Sequence, residues 1–151
     1  MQIPDVATPI VCDMTDAPDT DVERLAEYRR LFTHAAFLGR ERMPEGIRFR
    51  FRAEPGIEKW VRDLAAREKA CCAFFAFDIT IDGDEVRYDA AVTDNDLARA
   101  ILEEYYALPD LLVQSVDELR ERLVERGVEF TSNAAGTVHQ VQPVVPGRIE
   151  A

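Results

Sequence analysis

Glu68, Cys71 and Cys72 follow one another at spacings of three and one in the segment EKACCAFFAF. On a helix, residues three and four apart share a face, so one carboxylate and two thiols crowd together there. A third cysteine, Cys12, lies in TPIVCDM, where two-residue periodicity places it on one strand face with Ile10 and Met14. If that strand passes the end of the helix, three thiols converge. Such a set, with little oxygen or imidazole nearby, suits soft ions: Hg(II), Cu(I), trivalent arsenic, or zinc with one further ligand. Glu68 interrupts an otherwise apolar stripe and is expected to have a raised pKa. It could accept a thiol proton, stay protonated as a donor, or serve as an auxiliary ligand.

Other readings of the doubled cysteine stand beside this one. A vicinal disulfide between Cys71 and Cys72 closes a small ring that helical backbone cannot accommodate, and at a helix end it would be strained and labile. As a packing pair, the two thiols would act as small hydrophobes beside Phe74 and Phe75. A helix C-terminus and a nearby carboxylate both raise a thiol's pKa, so a thiol deprotonated by a bound metal is more plausible than a free catalytic thiolate.

The elements that must position these groups follow from periodicity and caps. The Thr20–Glu23 capping box opens a helix with the stripe Leu25, Tyr28, Leu31, Phe32 and Ala35. GRERMPEG reads as a loop, and IRFRFR as a half-buried strand with Ile47, Phe49 and Phe51 inward. A second helix is expected from Pro55 onward, with the stripe Ile57, Val61, Leu64, Glu68, Cys71/Cys72 and Phe75. Phe77–Ile81 and Val86–Val92 form a hairpin around Asp82-Gly83-Asp84. Thr93 is the expected cap of a third helix that Pro109 ends, and Ser115–Glu118 is a second capping box opening a short helix. The expected order is β-α-β-α-β-β-α-α. It implies an α+β fold, a largely antiparallel sheet of about four strands with helices on one face. Residues 1–132 read as the single domain and 133–151 as a mobile tail, with an edge strand near Val128–Thr131.

The cysteine in the first strand together with Ala65, Glu68, Cys71, Cys72, Phe74, Phe75 and Phe77, the pattern A-x-x-E-x-x-C-C-x-F-F-x-F, resembles a group of small uncharacterised bacterial proteins associated with heavy-metal response. The resemblance covers roughly the first hundred residues. It implies a thiol or metal role without implying any activity or catalytic residue.

Composition narrows the rest. Eighteen basic against 29 acidic residues leave a net charge of −11, which disfavours nucleic acid and anionic membranes as partners. With no apolar run of spanning length and no signal-peptide pattern at the start, the cytoplasm is the expected compartment, where three cysteines argue against a disulfide framework. Phosphate-loop, dinucleotide and serine-nucleophile motifs are absent. His34 and His139 read as ordinary surface or boundary residues, and Trp60 as core or boundary packing. Arg48, Arg50, Arg52 and Arg87 face away from the core against Asp78 and Asp89, as a solvated charge ladder, an anion-binding shelf or a homodimer surface.

The leading expectation is therefore a protein that binds a soft metal or metalloid through Cys12, Cys71 and Cys72. Protonation of an organometal's carbon leaving group by Glu68 would be a further step. The alternatives are a non-catalytic interaction or dimerising module with buried cysteines, and a small-molecule enzyme without a recognisable motif.

Overall fold

The computed structural model describes residues 1–111, 125, 128–132 and 137–141. Its elements are β1 (Val11–Asp13), α1 (Asp21–Thr33), β2 (Phe37–Arg42), β3 (Ile47–Arg52), α2 (Ile57–Cys71), β4 (Phe75–Asp82), β5 (Glu85–Val92), α3 (Asp96–Leu111), β6 (Val128–Ser132) and β7 (Thr137–Val141). The fold is α+β. An antiparallel sheet of order β2-β3-β5-β4 carries the helices on its apolar face, and a smaller antiparallel sheet has the order β1-β7-β6. Among the described residues, no helix is long and apolar enough to cross a membrane.

Alternation in IRFRFR puts Ile47, Phe49 and Phe51 into the core, and the register pairs them with Ala90, Tyr88 and Val86. The β4–β5 register matches Phe77, Ile79 and Ile81 to Ala90, Tyr88 and Val86, and a two-residue turn with Gly83 at φ +63° closes the hairpin. Facing them are Leu25, Tyr28, Leu31 and Phe32 of α1, Val61 and Leu64 of α2, and Leu102, Tyr105 and Leu108 of α3, all buried. The α1 capping box forms as expected: Glu23 N–H donates to Thr20 Oγ1 (3.2 Å) and Thr20 N–H to Glu23 Oε1 (2.9 Å).

Several boundaries differ from the sequence expectation. The start of GRERMPEG belongs to β2, which pairs with β3 across a register shift between Phe37 and Gly39. Its charged residues lack alternation because Arg40 and Arg42 reach α3: both guanidinium groups lie over the Tyr106 ring, and they pair with Asp110 and Glu103. Gly46, in the turn that follows, packs against β5 so closely that a Cβ would meet the Ala90 carbonyl oxygen at 2.1 Å. Helix α2 begins at Ile57, after Gly56 at φ +89°, a left-handed conformation that β-carbons disfavour. Asn95 caps α3 by accepting from the Leu97 and Ala98 N–H groups, whereas Thr93 donates to the Pro4 and Asp5 carbonyls. The helix also runs through Pro109 to Leu111. Thr137–Val141, expected within the tail, is a strand pairing with both β1 and β6. The helix expected from Ser115–Glu118 begins outside the described residues.

Candidate functional site

The C-terminus of α2 is where the chemistry gathers. Cys71 is the last helical residue and Cys72 the C-cap, its N–H donating to the Glu68 carbonyl (2.8 Å). The chain then turns into β4, and Lys69 Nζ secures that turn by donating to the Ala73 and Phe75 carbonyls (2.9 and 2.7 Å). β1 passes this helix end and brings Cys12 to it. Cys12 and Cys72 form a disulfide across 60 residues of sequence, with Cα atoms 4.4 Å apart. This corrects the expectation that three cysteines would form no disulfide: compartment and count carry no information about which distant strand meets the helix end. Cys71 is a free, buried thiol, and no vicinal bridge forms.

Glu68 occupies the same end of the helix, as the spacing predicts, with a side chain 14% exposed. Its partner is Arg24 of α1, 4% exposed, whose Nη1 donates to Glu68 Oε1 at 2.7 Å. Arg24 also grips Asp19 through Nε and Nη2 at 2.6 and 2.7 Å. The Arg24–Glu68 pair touches both neighbouring cysteines: Arg24 Nη2 lies 3.9 Å from Cys71 Sγ, and Glu68 Oε2 lies 3.9 Å from Cys72 Sγ. With the bridge closed, the Cys72 sulfur carries no proton. After reduction, the thiol at this position could donate to Glu68.

Charges around this point set its proton chemistry. Burial pushes the Glu68 carboxyl above its ordinary value, although the Arg24 charge and hydrogen bond pull the other way. Burial likewise raises the Cys71 thiol, outweighing the attraction of Arg24. Cys71 is therefore a poor free nucleophile at neutral pH, in line with the dipole argument. For Arg24 itself, burial works against the charge and the two carboxylates more than restore it. Asp19 is held below its ordinary value because Arg24 and Arg67 outweigh its own burial. Arg67 extends the network to Glu27 at 2.8 and 2.7 Å, and Glu27 accepts from Trp60 Nε1 at 2.8 Å.

Behind Glu68 lies a buried cluster of phenols. Tyr105 Oη is 2.6 Å from both Tyr28 Oη and Tyr88 Oη, while the latter two are 3.5 Å apart. Burial raises the pKa of all three, and the Tyr28 hydroxyl also stabilises the Glu68 carboxylate. The cluster keeps the interior beside Glu68 hydrogen-bonded while admitting no formal charge of its own.

The structure thus joins Cys12 to Cys72 and places Glu68 and Cys71 around the same ion pair. Sequence reasoning missed Arg24, Asp19 and the phenol cluster. One signal was present: Arg24 falls four residues before Tyr28, on the buried stripe of α1, as Glu68 falls on that of α2. Two opposite charges on facing apolar stripes are a readable pair. Among the described residues, no group of three or more His, Cys, Asp or Glu side chains is arranged to hold a metal ion. His34 Nδ1 accepts the Ala36 N–H (2.9 Å) and is committed locally. The arginines of the outer sheet face have internal partners. Arg48 forms a two-pronged pair with Asp89, Arg50 one with Glu85, Arg87 pairs with Asp82 and Glu85, and Arg52 with Glu54. Searches of protein-family models, curated proteins and solved structures return no match to this chain.

Proposed function

We propose that the protein binds a soft metal or metalloid ion through its cysteines, and that the Cys12–Cys72 disulfide is the closed, ion-free form of that site. The observation that carries this reading is the meeting of two sulfurs 60 residues apart beside a third thiol at one helix end. A disulfide sulfur cannot act as a thiolate ligand. Reduction supplies two thiolates already held within reach of one ion, with Cys71 in the neighbouring position.

Hg(II), Cu(I) and trivalent arsenic accept two or three sulfur ligands, so this donor set fits them best. Zinc would need a fourth donor. Glu68, with Oε2 3.9 Å from Cys72 Sγ, is one candidate, and its carboxylate is already engaged by Arg24. In this scheme the Glu68 carboxylate receives the Cys72 proton as the ion binds, and Arg24 keeps Glu68 oriented toward the sulfur.

Native mass spectrometry tests the proposal. The reduced chain, mixed with one equivalent of Hg(II) or arsenite, is expected to gain one ion, and the oxidised chain none. Reduced Cys12→Ser and Cys72→Ser proteins should bind at least about a hundredfold more weakly, a loss of about 3 kcal/mol. An unchanged mass on reduction, or unchanged affinity in Cys71→Ser/Cys72→Ser, refutes it.

A further inference from the structure

The two halves of the disulfide are not equivalent. Cys72 is 4% exposed, enclosed by the helix end and the turn into β4. Cys12 is only partly buried, between the exposed residues Val11 and Asp13, on a strand that among the described residues pairs with β7 alone. The free thiol Cys71 is 7% exposed. Cys12, although packed against the core, is therefore the more accessible residue of the bridge, and on the other side Glu68 Oε2 lies 3.9 Å from Cys72 Sγ.

We propose that the bridge is a thiol–disulfide exchange site entered at Cys12, with small neutral or cationic thiols as its substrates. The proposal rests on the reading of Cys12 and Cys72 as a working pair and adds the chemistry that opens it. An incoming thiol loses its proton to solvent and attacks Cys12 Sγ as the thiolate. A bond forms between the incoming sulfur and Cys12, the Cys12–Cys72 bond breaks, and its electron pair passes to Cys72 Sγ. Cys72 then takes a proton from solvent and can donate it in a hydrogen bond to Glu68. A second thiolate then attacks the small-molecule sulfur of the mixed disulfide, forming a small-molecule disulfide; the bond to Cys12 breaks, and Cys12 leaves as a thiolate that takes a proton from solvent. The small thiol is oxidised and the protein pair reduced.

The charge preference follows from the approach to Cys12. Asp13 and Asp16 are exposed on either side of Met14, and the whole chain carries a net charge of −11. An anionic thiolate approaching this surface is repelled, and the repulsion weakens with added salt. A thiol carrying an ammonium group meets the opposite field.

The test uses the whole oxidised protein in its folded state, with cysteamine, 2-mercaptoethanol and reduced glutathione as probes at matched thiolate concentration. The reaction is quenched in acid, alkylated and digested, so that Cys12 and Cys71/Cys72 fall on different peptides. The expected result is an adduct on the Cys12 peptide in about tenfold excess over the Cys72 peptide, because access decides which sulfur is attacked. Cysteamine should react fastest and glutathione slowest, with the gap closing as salt rises. Repeating the reaction in Cys71→Ser should give the same preference, which rules out scrambling through Cys71. Preferential attack at Cys72, reaction only after denaturation, or glutathione reacting fastest would each overturn the proposal. Ion uptake by the chemically reduced protein is a separate readout, so failure of the exchange route and failure of the ion-binding reading are distinguishable.

Discussion

Opening the Cys12–Cys72 bridge should cost the fold a definite amount of stability. The bridge ties β1 to the end of α2 across 60 residues, and a cross-link over a loop of that length removes enough freedom from the unfolded chain to be worth about 4 kcal/mol. For a chain of this size, that corresponds to a fall in Tm of about 10 °C on reduction. The assay is urea unfolding of oxidised and reduced protein, both in a Cys71→Ser background so that no alternative pairing forms. A further signature is expected in the slope: the reduced unfolded chain is more expanded, so its denaturant dependence should be steeper. Cys12→Ser should match the reduced protein. A stability difference below about 1 kcal/mol with identical slopes would refute the entropic argument and the assignment of the bridge as a constraint on the unfolded chain.

Three other outcomes follow from the structure. Tyr105→Phe removes both short hydrogen bonds of the phenol cluster and should cost about 2 kcal/mol, against about 1 kcal/mol for Tyr88→Phe; equal losses in chemical denaturation would contradict the placing of Tyr105 at the hub. Gly46→Ala drives a methyl group into the Ala90 carbonyl and should cost about 3 kcal/mol, seen as a lowered Tm, whereas a neutral result would mean that β5 yields there. Glu85, held down to about 2 by Arg50 and Arg87, has a folded pKa below its ordinary value of 4.5. Its contribution is therefore complete above that ordinary value and is lost as pH falls toward 2. It amounts to about 1 kcal/mol once solvent screening is allowed for. Stability measured from pH 6 to 2 should fall less steeply in Glu85→Gln, and parallel curves would discount the pair.

Much of the architecture was legible because burial imposes simple periods. IRFRFR reads as a strand since every second residue meets the core, and the turn at Gly83 announces the β4–β5 hairpin. β2 was illegible because its arginines are spent on α3, so its charges look like those of a loop. Pro109 did not end α3, and Thr93 did not cap it; Asn95 lies two residues nearer the helix and Thr93 is engaged by the N-terminal segment. At the candidate site, helix spacing alone places Glu68, Cys71 and Cys72 on one face. The Cys12–Cys72 bond was not legible, since it depends on the path of β1, which is set by pairing with a strand more than a hundred residues away. The Arg24–Glu68 pair lay between: both residues sit on buried stripes, but only the packing of α1 against α2 shows that they meet.

If the bridge closes a soft-ion site, as we propose, reduction opens it. Calorimetric titration with arsenite of a single preparation, before and after reduction and with the reductant removed, decides this. One arsenite per reduced chain and no measurable heat from the oxidised chain is the predicted result. The same weak or absent binding in both forms would contradict the account and leave Cys12, Cys71 and Cys72 as a structural bridge beside a buried thiol.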